Sequence, residues 1–163
     1  MRQIRQFAVG AFVTGFAIFA STDAAPVFAQ NTAVPSTDEV ERRDQPVTDE
    51  DLRILQRADK ILVSSAVWNR HDTRICKPTD TTWSLFCALE KASLDVLGEY
   101  RHREAALQEV RFVVEDVTKG IEFQHRLMDY NNLASTKFED IKHVLKVATD
   151  RVGSRLAAQK RKK

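Results

Sequence analysis

The sequence predicts an all-α domain, a small helical bundle of four to five amphipathic helices carrying one disulfide. Three observations predict it. Apolar residues recur at three- and four-residue spacing along most of the chain from Leu52 to Val152. Five Gly and four Pro in 163 residues are few for an all-β protein, which needs many tight turns. Two cysteines, Cys76 and Cys87, form an even set in a chain that begins like an exported protein. The composition, 43% hydrophobic and 29% charged, is that of a globular protein, and the length suits one domain.

The chain opens with the parts of a bacterial-type secretory signal. Arg2 and Arg5 precede an apolar run from Phe7 to Ala20, which is shorter than the ~20 residues a membrane span requires. Val27-Phe28-Ala29 offers small residues at the cleavage positions, so residues 1–29 are expected to be removed near Ala29. The competing reading is an uncleaved N-terminal anchor. No Cys follows the run to take a lipid, and the two Arg are not adjacent as in a twin-Arg signal. The expected destination is the periplasm or the medium, with no transmembrane span in the mature chain. Residues 30–47, polar, charged and broken by Pro35 and Pro46, read as a disordered linker.

The helical domain is expected over 48–158. Thr48 is a candidate N-cap, and Asp49, Glu50 and Asp51 meet the positive end of the helix dipole. Leu52, Leu55, Ala58, Leu62 and Ala66 share a face, which predicts a first helix to about Asn69. The loop from Arg70 to Asp80 holds Cys76 and Pro78. Thr81 or Thr82 then caps a second helix, with Phe86, Leu89, Ser93, Val96 and Leu97 as its buried stripe and Cys87 in its second turn. Gly98 weakens its end. A third helix is expected from about His102, carried by Ala106, Val110, Val113, Val114 and Val117. Gly120 interrupts it, Phe123, Leu127 and Tyr130 continue the spacing, and Asn131-Asn132 signals a turn. Thr136 to Glu139 reads as a capping box that opens a last helix with Phe138, Ile141, Leu145, Ala148 and Val152 inside.

Charge is unevenly spread. Arg2, Arg5 and Asp23 lie in the first 29 residues, so the net charge of +2 falls to +1 without them. Leaving out Lys160, Arg161, Lys162 and Lys163 as well brings it to −3, so an acidic body ends in a basic tail over 159–163. That tail could touch anionic lipid, cell-wall polymer or nucleic acid through weak, salt-sensitive contacts, or could simply be a frayed, solubilising end. A Cys76–Cys87 bridge would close a short loop and contribute about 2–3 kcal/mol. The alternative, a metal held by His71, Asp72, Cys76 and Cys87, lacks the paired spacing that zinc sites use. Trp68 and Trp83 are read as core residues flanking the disulfide loop.

Candidate binding residues are His102, Arg103, His125, Arg126 and Asp129. His125 and Asp129 are four apart, so on a helix they can touch, and a carboxylate would orient the imidazole. The His102-Arg103 and His125-Arg126 pairs could line one cleft with Glu99, Arg111 and Asp129, where arginine would clamp a carboxylate or phosphate. The plainer alternative is a solvated face with pairs such as Glu99–Arg103 and Arg111–Glu115. No H-E-x-x-H, Gly-rich phosphate loop or G-x-S-x-G is present, so no cofactor is implied and the motifs do not point to an enzyme. The favoured reading is an exported, non-catalytic interaction or structural module. The other is a small ligand-binding protein or hydrolase using the His/Asp/Arg cluster.

Trp68, Arg70 and Cys76, then Trp83-Ser84-Leu85-Phe86-Cys87-Ala88-Leu89 with Ala92, and finally Asn131 ahead of Thr136, Phe138, Asp140 and Ile141 form a pattern over the last two-thirds of the chain. With it the chain resembles a bacterial family of small helical proteins with no assigned function. The resemblance implies the helical fold and carries no activity; an export signal departs from what it implies.

Overall fold

A computed structural model describes residues 42–162. The expected signal peptide, its cleavage site, most of the expected linker and Lys163 lie outside the described residues. Among those described there are five α-helices and no strand: α1 (Asp49–Ile61), α2 (Leu85–Leu97), α3 (Ala105–Val117), α4 (Arg126–Asn132) and α5 (Phe138–Arg161). Cys76 and Cys87 are joined in a disulfide, with their Cα atoms 5.4 Å apart.

The start of α1 is set by a capping box. Thr48 Oγ1 accepts the Asp51 N–H at 3.3 Å, and Asp51 Oδ2 accepts the Thr48 N–H at 2.8 Å. Asp51 is buried, and its second oxygen accepts the Ala106 N–H at 2.8 Å. One carboxylate therefore caps two helices, because Glu104 at the N-cap of α3 offers no side-chain bond of its own. This moves the expected start of α3 from His102 to Ala105.

α1 ends at Ile61, eight residues short of the expected Asn69. The terminus is closed from outside: Lys142 Nζ on α5 donates to the carbonyls of Asp59 (2.9 Å) and Leu62 (3.2 Å). Ser64 and Ser65, weak helix formers, follow and start a 3-10 turn at Ser65–Val67. The chain then pairs Trp68 with Trp83 in an isolated parallel bridge, with Trp83 N–H to Val67 O at 2.7 Å and Asn69 N–H to Trp83 O at 3.0 Å.

The cap of α2 is Ser84, not Thr81 or Thr82; its hydroxyl accepts the Cys87 N–H at 3.1 Å, which puts Cys87 in the first turn. Gly98, at φ 79, ends the helix in the left-handed conformation that favours glycine. Gly120, at φ 84, separates α3 from α4 in the same way. The expected box at Thr136 shifts by one residue. Thr136 is buried with its hydroxyl donating to Tyr130 O at 2.8 Å, while Asp140 accepts the Lys137 N–H at 2.8 Å. Lys160 and Arg161, expected to fray, lie within α5, and Lys160 Nζ is 3.2 Å from Asp49.

α1 packs mainly on α2 and α5, and α3 on α5 and α4. The core between them holds Ile54, Leu55, Leu62, Leu85, Leu89, Leu107, Val110, Val113, Val114, Ile141, Val144 and Leu145, all fully buried. Val117, placed on the inner face by its spacing, is exposed. The last residues of the expected linker are packed. Val47 is buried, Gln45 donates to Arg103 O at 3.3 Å, and Arg43 lies over the Phe112 ring at 4.7 Å. Buried Glu109 on α3 holds Arg155 (2.9 Å) and Arg151 (3.4 Å) of α5, and Arg155 also donates to Gln45 O.

Candidate functional site

Asn131 is fully buried, and all of its hydrogen-bonding capacity is used. Its Oδ1 accepts the Trp68 indole N–H at 2.8 Å and the Leu85 N–H at 3.0 Å; its Nδ2 donates to Asn69 O at 3.0 Å and Asn132 Oδ1 at 3.1 Å. Expected to mark a turn, Asn131 lies in the last turn of α4 and ties it to the start of α2 and to the Trp68 bridge. Asn132 extends the tie, with its Oδ1 accepting the Asp72 N–H at 2.8 Å and its Nδ2 donating to Asp72 O at 2.9 Å.

Asp72, 5% exposed, in turn builds the next step of the loop. Its Oδ1 accepts the Arg74 N–H at 2.7 Å, closing a turn in which Arg74 sits at φ 59. Such a backbone is uncommon for arginine and persists only where surrounding structure enforces it. Asp72 Oδ2 is buried with no hydrogen-bond partner. Burial, with the Asp72 charge adding to it, pushes the neighbouring Glu90 carboxyl above the usual carboxylate range.

The turn delivers Arg74 to a pocket of about 370 Å³. His102, Arg111, His125 and Arg126 line the same pocket, over a floor that includes Phe86 and Phe123. Arg74 lies over the Phe86 ring at 5.7 Å, and its Nη1 is 3.1 Å from His125 Nδ1 and 3.3 Å from Nε2. Arg111, 7% exposed, donates to His102 O at 3.0 Å, and its Nη2 is 3.3 Å from each nitrogen of the His102 ring. The Tyr100 hydroxyl is 2.9 Å from His102 Nδ1, and burial raises the Tyr100 pKa even though the Arg111 charge opposes it. No carboxylate lines the pocket among the described residues, and Glu115 lies 4.0 Å from Arg126.

Of the five residues singled out in the sequence, the structure brings together His102, His125 and Arg126. Arg103 does not line the pocket; its carbonyl accepts from Gln108 at 2.8 Å, and its side chain is exposed. Asp129 does not meet the His125 ring. Its Oδ2 accepts the His125 backbone N–H at 2.7 Å, because His125 is the N-cap of α4 and its ring leaves in another direction, toward Arg74. Glu99 pairs with Arg101, not Arg103, and Glu115 pairs with Arg43 at 3.0 Å. The two cysteines are spent in their disulfide, so they offer no thiolates to a metal, and no cluster of three metal-ligating side chains occurs among the described residues. Arg74, Phe86 and Phe123 were missed as site residues. The only sequence signal for Arg74 was its place beside Asp72 in a loop closed by Cys76.

Compared with protein families, with curated proteins and with solved structures, the chain has no match. Among the described residues no helix is long and apolar enough to cross a membrane. The disulfide is compatible with a periplasmic or extracellular protein.

Proposed function

We propose that this is an exported, non-catalytic binding module whose pocket takes an oxyanion, the carboxylate or phosphate of a small ligand. The observation that carries the reading is the convergence of Arg74, Arg111, Arg126, His102 and His125 on one cavity with no lining carboxylate among the described residues. Guanidinium groups match carboxylate and phosphate oxygens geometrically, and their charge-assisted bonds are stronger than neutral ones. Arg74 has no carboxylate partner among the described residues and is held toward the pocket by its own strained turn. Binding is favoured over turnover because Asp129 engages the His125 backbone and not its ring, and no Ser, Thr or Cys is among the described residues that line the pocket. Export is supported by the sequence of residues 1–29 and by the disulfide.

Titration of the protein with inorganic phosphate and with succinate, followed by amide NMR shifts, tests the reading. Saturable shifts confined to residues around Arg74, His102 and His125 are expected with at least one of the two, and whichever binds tighter identifies the headgroup. Arg74→Gln should weaken it by about 10- to 100-fold, the worth of a charged hydrogen bond. Absence of saturation with both ligands, or unchanged affinity in the variant, would overturn it.

A further inference from the structure

We propose that the pocket's resident ligand is the chain's own acidic segment, Asp38, Glu39 and Glu41, which an incoming anion must displace. This rests on the oxyanion reading above and adds its regulation, a competitor tethered beside the site. The three acidic residues lie outside the described residues, which begin at Arg42. The Arg42 N–H donates to Gln108 Oε1 at 3.1 Å. Arg43 lies over the Phe112 ring at 4.7 Å and reaches Glu115 at 3.0 Å and Asp116 at 3.2 Å. The chain thus enters the fold along the face of α3 that carries Gln108, Arg111 and Glu115, residues three and four apart on one helix. Arg111 lines the pocket, and so does Arg126, which is 4.0 Å from the same Glu115.

Reach and charge both fit. A chain covers at most about 3.6 Å per residue, so the span from Glu41 back to Asp38 can extend roughly 4 to 14 Å from Arg42. Gln108, which Arg42 touches, is separated from Arg111 by about 4.5 Å of helix rise. From Ser36 to Glu41 the sequence holds three carboxylates and no basic residue. The pocket is lined by Arg74, Arg111 and Arg126 with His102 and His125, over a floor of Phe86 and Phe123 that suits the apolar Val40 between the acids. Guanidinium groups hold carboxylates by charge-assisted, often paired, bonds. A tether this short keeps a carboxylate at an effective concentration in the millimolar range, whatever the solution contains. The segment gives up conformational freedom when it binds, which keeps its hold weak enough for a free anion to displace it. Ligand capture therefore has a threshold, set by the ratio of the segment's effective concentration to its own dissociation constant.

Inorganic phosphate is the probe, titrated by calorimetry into three forms of the mature chain from Gln30. The first is unsubstituted, and the second carries Asp38→Asn, Glu39→Gln and Glu41→Gln. The third is a control of the same net charge as the second, with Glu50→Gln, Glu139→Gln and Asp150→Asn, at residues that do not line the pocket. The second form should bind phosphate about 3- to 10-fold more tightly than the control, as expected when a millimolar local competitor is withdrawn from a site of millimolar affinity. Without phosphate, its amide NMR signals around Arg74, His102 and His125 should be displaced from those of the unsubstituted chain, while the control's should coincide with them. An affinity gain no larger than the control's, or unmoved amides, overturns the tethered ligand and leaves phosphate binding standing. No saturation in any of the three forms overturns the oxyanion site itself.

Discussion

Replacing Asn131 with alanine removes four hydrogen bonds from a fully buried position. The Leu85 amide, in the first turn of α2, loses its acceptor where water cannot replace it, at about 1–3 kcal/mol. The half-buried Trp68 indole and the two bonds donated by Nδ2 add about 0.5 kcal/mol each after partial rescue by water. The sum is about 3 kcal/mol, or about 12 °C in melting temperature for a domain of this size. Urea unfolding followed by far-UV circular dichroism measures it, and a loss under about 1 kcal/mol would refute the assigned role. Asn131→Asp refines the test, since it keeps Oδ1 for Trp68 and Leu85 but turns an oxygen on Asn69 O and Asn132 Oδ1. The introduced carboxyl would bind its proton more tightly folded than unfolded. Its deficit relative to the unsubstituted protein should then narrow as pH falls from about 7 to about 4. A deficit that ignores pH would show that the Nδ2 bonds contribute nothing.

Asp51→Ala should cost about 3 kcal/mol and Thr48→Val only about 1, because only the first also removes the cap of α3 at Ala106; equal losses in denaturant melts would disprove the shared cap. The double replacement Cys76→Ser, Cys87→Ser should lose about 2–3 kcal/mol, checked by thermal unfolding, and a loss near zero would mean the loop is fixed by other contacts. Burial, with Asp140 adding to it, raises the Tyr130 pKa to about 12, and Tyr100 is also raised. Tyrosinate absorbance should therefore lag behind free tyrosine, and stability should fall as pH climbs through the window from about 10 to about 12; ionisation at the free value would contradict the packing of both rings. Asn132→Ala, at an exposed residue outside the pocket, should weaken phosphate or succinate binding several-fold by releasing Asp72 and so Arg74, and unchanged affinity would show that the turn holds itself.

What was legible in the sequence is what is decided locally. The Thr48 cap, the stripe of α2 and the inner face of α5 follow from residue type and period, and the structure keeps them. What was not legible is decided by distant residues. The end of α1 is set by Lys142, which is 80 residues beyond Leu62, and the start of α3 by Asp51, 55 residues before Ala106. In the site, His102, His125 and Arg126 could be singled out by chemistry. Asp129 bonds the His125 backbone and not its ring because the i,i+4 rule presumes that both residues are helical, whereas His125 sits at the N-cap with φ −129 and ψ 80. Arg74 gave no periodic signal at all: its position depends on a positive φ and on a side chain from α4 reaching its neighbour.

That dependence explains why so much polar structure surrounds a short loop. An exposed arginine loses rotamer freedom on binding an anion, and a site gains affinity when that loss has been met during folding. Here the loop is fixed on both sides of Arg74, through Asp72 to Asn132 and through Cys76 to Cys87. Asn131 fixes Asn132 in turn, with the same side chain that accepts from Leu85 at the start of α2. The stability of the bundle and the placement of Arg74 are thus set by one network. Changes at Asn131 or the cysteines are expected to move both, whereas changes at Arg74 itself, exposed and outside the core, should alter binding and leave folding intact.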